Sequence, residues 1–318
     1  MKLITSTSNP HVRQLMLLQK KAKERNAQDV FVAEGPKMFR ETPPERLVQV
    51  YASETFYQKN QTLFGQDRPL TLLSDRVFES VSDTRTPQGV LCVVRQYHYE
   101  LRELLGTAHR AEDTLRSPSK EIPAGHSVSG VLSRGRSAAE SAGIPERSNS
   151  AAFVAAGAAE AWPSLIMALE NLQDPGNLGT ILRTAEGAGV TGILLGPGCA
   201  DLYNPKVIRS TMGSIYRMPF YYTEDMRRDI CALRGKGVRW YAAHLEGSVP
   251  YDEPVYREPC GFLIGNESRG LTEATAALAD ARIRIPMCGQ VESLNASVAA
   301  SILMYEANRQ RRAAQASQ

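Results

Sequence analysis

From Ser164 onward, short apolar runs alternate with helix-length segments, and this alternation limits the fold more than any other feature of the chain. Leu165-Ile166-Met167-Ala168-Leu169, Ile193-Leu194-Leu195, Trp240-Tyr241-Ala242-Ala243, Phe262-Leu263-Ile264 and Ile283–Met287 read as strands. The intervening stretches read as helices near 177–187, 205–212, 224–235, 271–279 and 295–312. Such alternation implies an α/β fold, a mostly parallel sheet with helices on both faces. Ligands on sheets of this kind bind at the carboxyl ends of the strands, so the blocks that follow strands are where chemistry is expected.

The first hundred residues have a different texture. Asn9-Pro10 offers a cap and a first-turn proline, and Val12, Leu15, Met16 and Leu18 form an apolar stripe, so residues 9–25 read as one helix. Val30-Phe31-Val32-Ala33, Leu47–Tyr51, Leu70–Leu73 and Val90–Val94 follow as short strands of a small α/β domain. Residues 106–150 are rich in Ser, Ala, Gly, Arg and Glu, with isolated apolar residues, and read as a flexible linker or insertion. The expected organisation is therefore 1–104, a linker over 105–161, and 162–318.

Composition narrows the function classes. Five scattered cysteines with no Cys-x-x-Cys, and five dispersed histidines, make disulfides and a metal site poor expectations and suit a reducing cytoplasm. No apolar run approaches membrane-spanning length, and the N-terminus lacks the apolar region of a secretory signal. The net charge of +3 is unevenly placed: residues 1–104 hold 15 Lys and Arg against 12 Asp and Glu, whereas the other two segments balance. Within residues 1–25, Lys2, Arg13, Lys20, Lys21, Lys23 and Arg25 face only Glu24. That cluster, with Asn9 beside it, is either a phosphate-contacting surface or a solvated helix face.

Three blocks follow strands in the second domain. In the first, Asp174-Pro175-Gly176 signals a turn, Asn177 reads as a helix cap, and Leu178, Ile181, Leu182 and Ala185 form one helical face. Arg183 then points away from the core beside Thr180, as a solvated cation or as the partner of an anion. The second block is Gly265-Asn266-Glu267-Ser268-Arg269-Gly270, where the glycine would permit close approach to a ligand and Glu267 offers an acceptor. The third runs from Ile285-Pro286-Met287 to Ser293-Leu294-Asn295 at the mouth of the last helix, where Ser-x-Asn is a cap, a binding element or both.

Familiar phosphate signatures do not apply. Gly187-Ala188-Gly189-Val190-Thr191-Gly192 matches G-x-G-x-x-G, but it follows a helix and precedes a strand, the reverse of the dinucleotide fingerprint. No G-x-x-x-x-G-K-[ST] occurs either, so nucleotide hydrolysis and nicotinamide chemistry are unsupported.

Taken together, the three blocks resemble, in order and spacing, the motifs of the SpoU (TrmH-like) branch of the SPOUT RNA methyltransferases. Ser8-Asn9-Pro10, Arg13 and Phe31-Val32-Ala33-Glu34-Gly35 resemble the L30e-like substrate-binding domain often joined to it. The resemblance implies a C-terminal α/β domain with a deep trefoil knot, which general topology rules would disfavour. It also implies S-adenosyl-L-methionine as cofactor, methylation of a ribose 2′-hydroxyl in ribosomal or transfer RNA, and a homodimer through the C-terminal domain. By motif correspondence, Gly265, Ile285, Met287 and Leu294 would hold the cofactor, and Asn177, Arg183, Glu267, Ser293 and Asn295 would form the catalytic surface. A guanidinium with a pKa above about 12 is a poor base, so the minimum role expected of Arg183 is to anchor phosphate and orient the hydroxyl. Large-subunit ribosomal RNA is the favoured substrate. Transfer RNA and a non-catalytic ribosome-assembly role are the alternatives.

Overall fold

In the computed structural model, residues 3–65, 69–106, 162–246 and 249–317 are described. All but the first two positions of the expected linker lie outside them.

The N-terminal part is a mixed five-stranded sheet. Its strands are β1 (Leu3–Ile4), β2 (Val30–Glu34), β3 (Leu47–Ser53), β4 (Leu70–Leu73) and β5 (Val90–Arg95), in the order β1-β4-β3-β5-β2. Helices α1 (Pro10–Lys20), α2 (Ala22–Gln28), α3 (Pro36–Glu41), α4 (Glu54–Lys59) and α5 (Asp75–Val81) connect them. The single helix expected over 9–25 is two. Lys21 takes an extended conformation (φ −122°, ψ 113°), which lets Arg25 fold back and donate to the terminal carbonyls of α1, Leu18 O at 2.8 Å and Gln19 O at 3.2 Å. Those carbonyls have no intrahelical partner, so the break satisfies them.

The C-terminal part is a seven-stranded sheet: β6 (Leu165–Leu169), β7 (Gly192–Leu195), β8 (Phe220–Tyr222), β9 (Arg239–Ala243), β10 (Val249–Pro250), β11 (Cys260–Ile264) and β12 (Ala281–Arg284). The order is β10-β12-β9-β11-β6-β7-β8, and every pairing is parallel. Helices α6 (Pro175–Ala188), α7 (Pro205–Thr211), α8 (Met226–Arg234), α9 (Glu273–Ala276) and α10 (Ala296–Gln315) complete it. Successive residues of β6 enter different cores. Leu165, Met167 and Leu169 pack in the cluster containing Leu178, Ile181 and Leu303. Ile166 and Ala168 pack with Ile230 and Leu233 of α8. A strand buried on both faces must be apolar throughout, which is why this run shows no alternation.

Two expectations change. The last strand ends at Arg284 rather than Met287, because Pro286 cannot continue a hydrogen-bonded ladder, and 285–295 becomes a loop. The helix expected over 271–279 is the four-residue α9. After that loop the chain returns inward as α10, which lies against α6 and β11. Arg311 of α10 is buried and donates to the carbonyls of Pro163 (2.7 Å), Tyr256 (3.0 Å), Ser164 (3.1 Å) and Glu258 (3.1 Å), binding the helix to the connections that lead into β6 and β11.

The two parts share one core. The ring of Phe31 in β2 stacks on Tyr203 with centroids 4.9 Å apart. The Tyr203 hydroxyl accepts from the Tyr97 amide at 2.6 Å and donates to the Tyr97 carbonyl at 3.0 Å. Thr42 and Tyr216 pair through their hydroxyls at 2.9 Å, and Arg25 forms an ion pair with Asp201.

Candidate active site

The site is assembled where three strand ends lead into loops: β6 into 170–174, β11 into 265–271, and β12 into 285–295. Asp174, not Asn177, caps α6, accepting from the Asn177 amide at 2.8 Å, with Pro175 in the first turn. With Asp174 serving the backbone, the Asn177 side chain is free to work sideways. Its Nδ2 donates to Glu267 Oε1 at 3.2 Å, and its Oδ1 accepts from Asn295 Nδ2 at 2.9 Å.

Glu267 sits in a tight turn in which Asn266 and Gly270 exchange backbone hydrogen bonds of 3.0 and 2.9 Å. Besides Asn177, its carboxylate accepts from the amides of Asp174 (3.0 Å) and Gln173 (3.3 Å) and from Asn266 Nδ2 (3.3 Å). Burial pushes its pKa up, but the donors from Asp174, its own backbone amide, Asn177 and Gln173 outweigh that and hold it below the usual carboxylate value. A carboxylate so satisfied stays ionised and holds its donors in place.

Asn295 caps α10, as its sequence position allowed. Its Oδ1 accepts from the Ser297 amide (2.9 Å), the Ser297 hydroxyl (2.6 Å) and the Val298 amide (3.3 Å), while its Nδ2 serves Asn177. Cap and site element are the same residue. Arg183 is exposed on α6 beside Thr180 and makes no ion pair among the described residues. It lies six residues beyond Asn177, about 9 Å along the axis, and helical side chains lean towards the N-terminus, so it inclines towards the Asn177 end. Ser293 is exposed beside Leu294.

Next to this polar array lies a cavity of about 580 Å³. All four expected cofactor contacts, Gly265, Ile285, Met287 and Leu294, line it, and Glu267 and Ser293 reach its wall; Asn177, Arg183 and Asn295 are not among its lining. Ile264, Leu303 and Ala243 add apolar surface, and the carboxylates of Glu246 and Glu292 join the lining. The volume is in the range of small-molecule sites. Apolar walls beside backbone-rich strand ends suit a purine nucleoside, and the carboxylates suit a cationic sulfonium. The donor set fits S-adenosyl-L-methionine. The reading of the sequence missed residues 243–246. Their signal was available, since they follow the carboxyl end of β9 just as the other blocks follow theirs.

Gly265 is needed for a reason other than the expected one. A Cβ there would lie 2.1 Å from the backbone of Gly270 and Leu271, so the protein's own returning turn, rather than a ligand, occupies the space.

The N-terminal basic cluster divides. Asn9 caps α1, accepting from the His11 amide at 2.9 Å, and Arg13, Lys20, Lys21 and Lys23 are exposed. Arg25 is only 3% exposed and is committed to α1 and Asp201, so it offers no free guanidinium to a nucleic acid.

This arrangement defines a two-part chain of recognisable class. Residues 164–305 match the SpoU rRNA Methylase family, and residues 9–92 match the MRM3-like substrate binding domain. The chain thus carries a SpoU methylase domain of the SPOUT α/β-knot fold behind an MRM3-like substrate-binding domain. It is 38% identical over 140 residues to the 23S rRNA (guanosine(2553)-2'-O)-methyltransferase RlmP of Bacillus subtilis, covering 44% of this chain and 56% of that protein. It is 33% identical over 198 residues to the human mitochondrial rRNA methyltransferase 3, covering 46% of this chain and 47% of that one. The matched stretch spans about half the length of these relatives. Over the whole chain, an AdoMet-bound rRNA methyltransferase structure from Sinorhizobium meliloti superposes with a TM-score of 0.71 at 26% identity, covering 97% of both chains.

Proposed function

We propose that this protein transfers a methyl group from S-adenosyl-L-methionine to a ribose 2′-hydroxyl of RNA, with large-subunit ribosomal RNA as the substrate class. The observation that carries the reading is the junction at Glu267. The same carboxylate lines the cofactor-sized cavity and clamps Asn177, so the cofactor space and the polar array form one site. When bound, the cofactor would supply an electrophilic methyl on a sulfonium. Displacement at that methyl is in line, so orienting the hydroxyl is a large part of the catalysis this chain must provide. The Asn177–Asn295 pair is the rigid polar floor for that task, Arg183 holds the neighbouring phosphate, and Ser293 supplies a hydroxyl at the boundary between the two halves. Glu267 keeps the floor in register.

We further propose a homodimer through α10. Val298 and Tyr305 are 47% and 49% exposed at positions i and i+7 of the helix, with partly exposed Ile302 between them. Apolar side chains at this spacing form a stripe suited to a second copy. A cytoplasmic site of action, expected from the cysteine usage, belongs to the same proposal.

The test is methyl incorporation from labelled S-adenosyl-L-methionine into unmodified large-subunit ribosomal RNA and, in parallel, into transfer RNA. Arg183→Ala should lose turnover while calorimetry still shows cofactor binding. Incorporation only into transfer RNA would move the substrate assignment, and absence of cofactor binding by the wild type would leave a non-catalytic RNA-binding protein.

A further inference from the structure

Glu34 and Gly35 organise a loop that the active site does not use. One Glu34 oxygen, Oε1, accepts from the Ser82 hydroxyl (2.7 Å), the Thr84 hydroxyl (3.0 Å) and the Gln88 amide (3.3 Å). At Gly35 (φ 109°) a Cβ would lie 2.3 Å from the Gln88 side chain, so the loop 82–89 is pressed onto this turn. Arg85 stands exposed on the loop and makes no ion pair among the described residues.

The loop is also fixed to the catalytic domain. Asp83 accepts from Arg209 of α7 at 3.1 Å. In turn α7 packs tightly on α6, since a Cβ at Gly179 would lie 2.5 Å from Ser210 Cβ. One turn before Arg209, the Lys206 ammonium lies 3.6 Å from Asp174, the cap of the helix that bears Asn177 and Arg183. Arg85 thus lies two residues from the Asp83–Arg209 pair, and Lys206, on the same helix as Arg209, meets the cap of the helix that bears Arg183, so cations lie along the junction of the two domains. The carboxylates beside Arg209 and Lys206 are themselves about half exposed. Solvated pairs of that kind contribute little, so a phosphate can displace the carboxylate readily.

We propose that this line, Arg85–Arg209–Lys206, is the phosphate track along which a single-stranded segment of substrate RNA crosses from the substrate-binding domain to the catalytic surface. The proposal rests on the RNA methyltransferase reading and adds to it the route of the strand. Such contacts set register and position without reading sequence.

The probe is an oligouridylate of about 15 nucleotides, with affinity measured against salt for the full-length protein. Each single-strand phosphate contact contributes about 0.7 to the slope of log affinity against log salt. The triple variant Arg85→Ala, Lys206→Ala, Arg209→Ala should therefore lower the slope by about 2, with S-adenosyl-L-methionine affinity unchanged. Should the triple variant fail to fold, Arg85→Ala with Lys206→Gln leaves the Arg209–Asp83 pair intact and should lower the slope by about 1.4. Arg85→Lys should keep the wild-type slope. Wild-type binding with an unaltered slope in the variants overturns the track and leaves the methyltransferase reading standing. Absence of oligouridylate binding by the wild type also overturns the track, whereas methyl incorporation into ribosomal RNA tests the methyltransferase reading separately.

Discussion

The side-chain amide of Asn295 donates to the side-chain oxygen of Asn177 at 2.9 Å, joining the first turns of two helices 118 residues apart in the chain. Each asparagine uses both ends of its amide. Asn295 spends its oxygen on the amides of α10, and Asn177 spends its nitrogen on Glu267. The array therefore has one direction, and a change of donor to acceptor at any point reverses a contact.

Asn295→Asp separates capping from orientation. Aspartate keeps the cap, so the melting temperature should stay close to wild type, but it faces the Asn177 oxygen with another acceptor. Turnover should fall at least 10-fold with cofactor affinity retained. Asn295→Ala should lose both, with about 1 kcal/mol of stability removed in denaturant titration. Full activity in Asn295→Asp would remove this contact from the mechanism.

Glu267 gives a pH expectation with a definite sign. Its folded pKa is depressed, so its contribution is fully present above the ordinary glutamate value of about 4.3 and is lost as pH falls through the lower folded value. Any acid limb in the activity profile between pH 5 and 7 should therefore persist unchanged in Glu267→Gln. That variant places an amide donor against the Asp174 and Asn177 donors, and its kcat should be lower at every pH.

Gly265→Ala should abolish cofactor binding in calorimetry. The added methyl would collide with the Gly270–Leu271 backbone at 2.1 Å, and that backbone belongs to the turn carrying Glu267. Retained affinity would mean that the turn has slack the close contact does not suggest.

Arg25→Ala should act on stability rather than on RNA. The guanidinium is buried and partly paired with Asp201 across the domain junction, so its loss should cost about 3 kcal/mol in urea unfolding. A purely RNA-binding defect with unchanged stability would contradict the buried assignment.

Tyr305→Asp, placed in the exposed apolar stripe of α10, should abolish the proposed dimer in sedimentation. The Tyr305 hydroxyl lies near Gly187 of α6, 3.4 Å from where a Cβ would stand, so this patch extends over two helices.

Much of the architecture was legible in the chain because it depends on local periodicity. The unbroken apolar run of β6, the stripe of α6 and the cap, stripe and basic end of α10 each carry their own signal within a few residues. The three-residue edge strand β8 does not, since so short a segment has no period to read. The α6 cap falls on Asp174 rather than Asn177, and Pro175 carries the clue, because proline favours the first helical position and so points to the residue before it.

By itself the sequence determined that a parallel α/β domain carries polar blocks at three strand ends, and which residues those blocks contain. Only the tertiary structure decided which groups each residue meets. Hydrogen-bond direction between Asn177, Glu267 and Asn295, the collision that makes Gly265 obligatory, and the inward turn of Arg25 all depend on segments distant in the chain meeting in space. Such contacts are set by how packed elements bring donors and acceptors together, and no local pattern of residues encodes that.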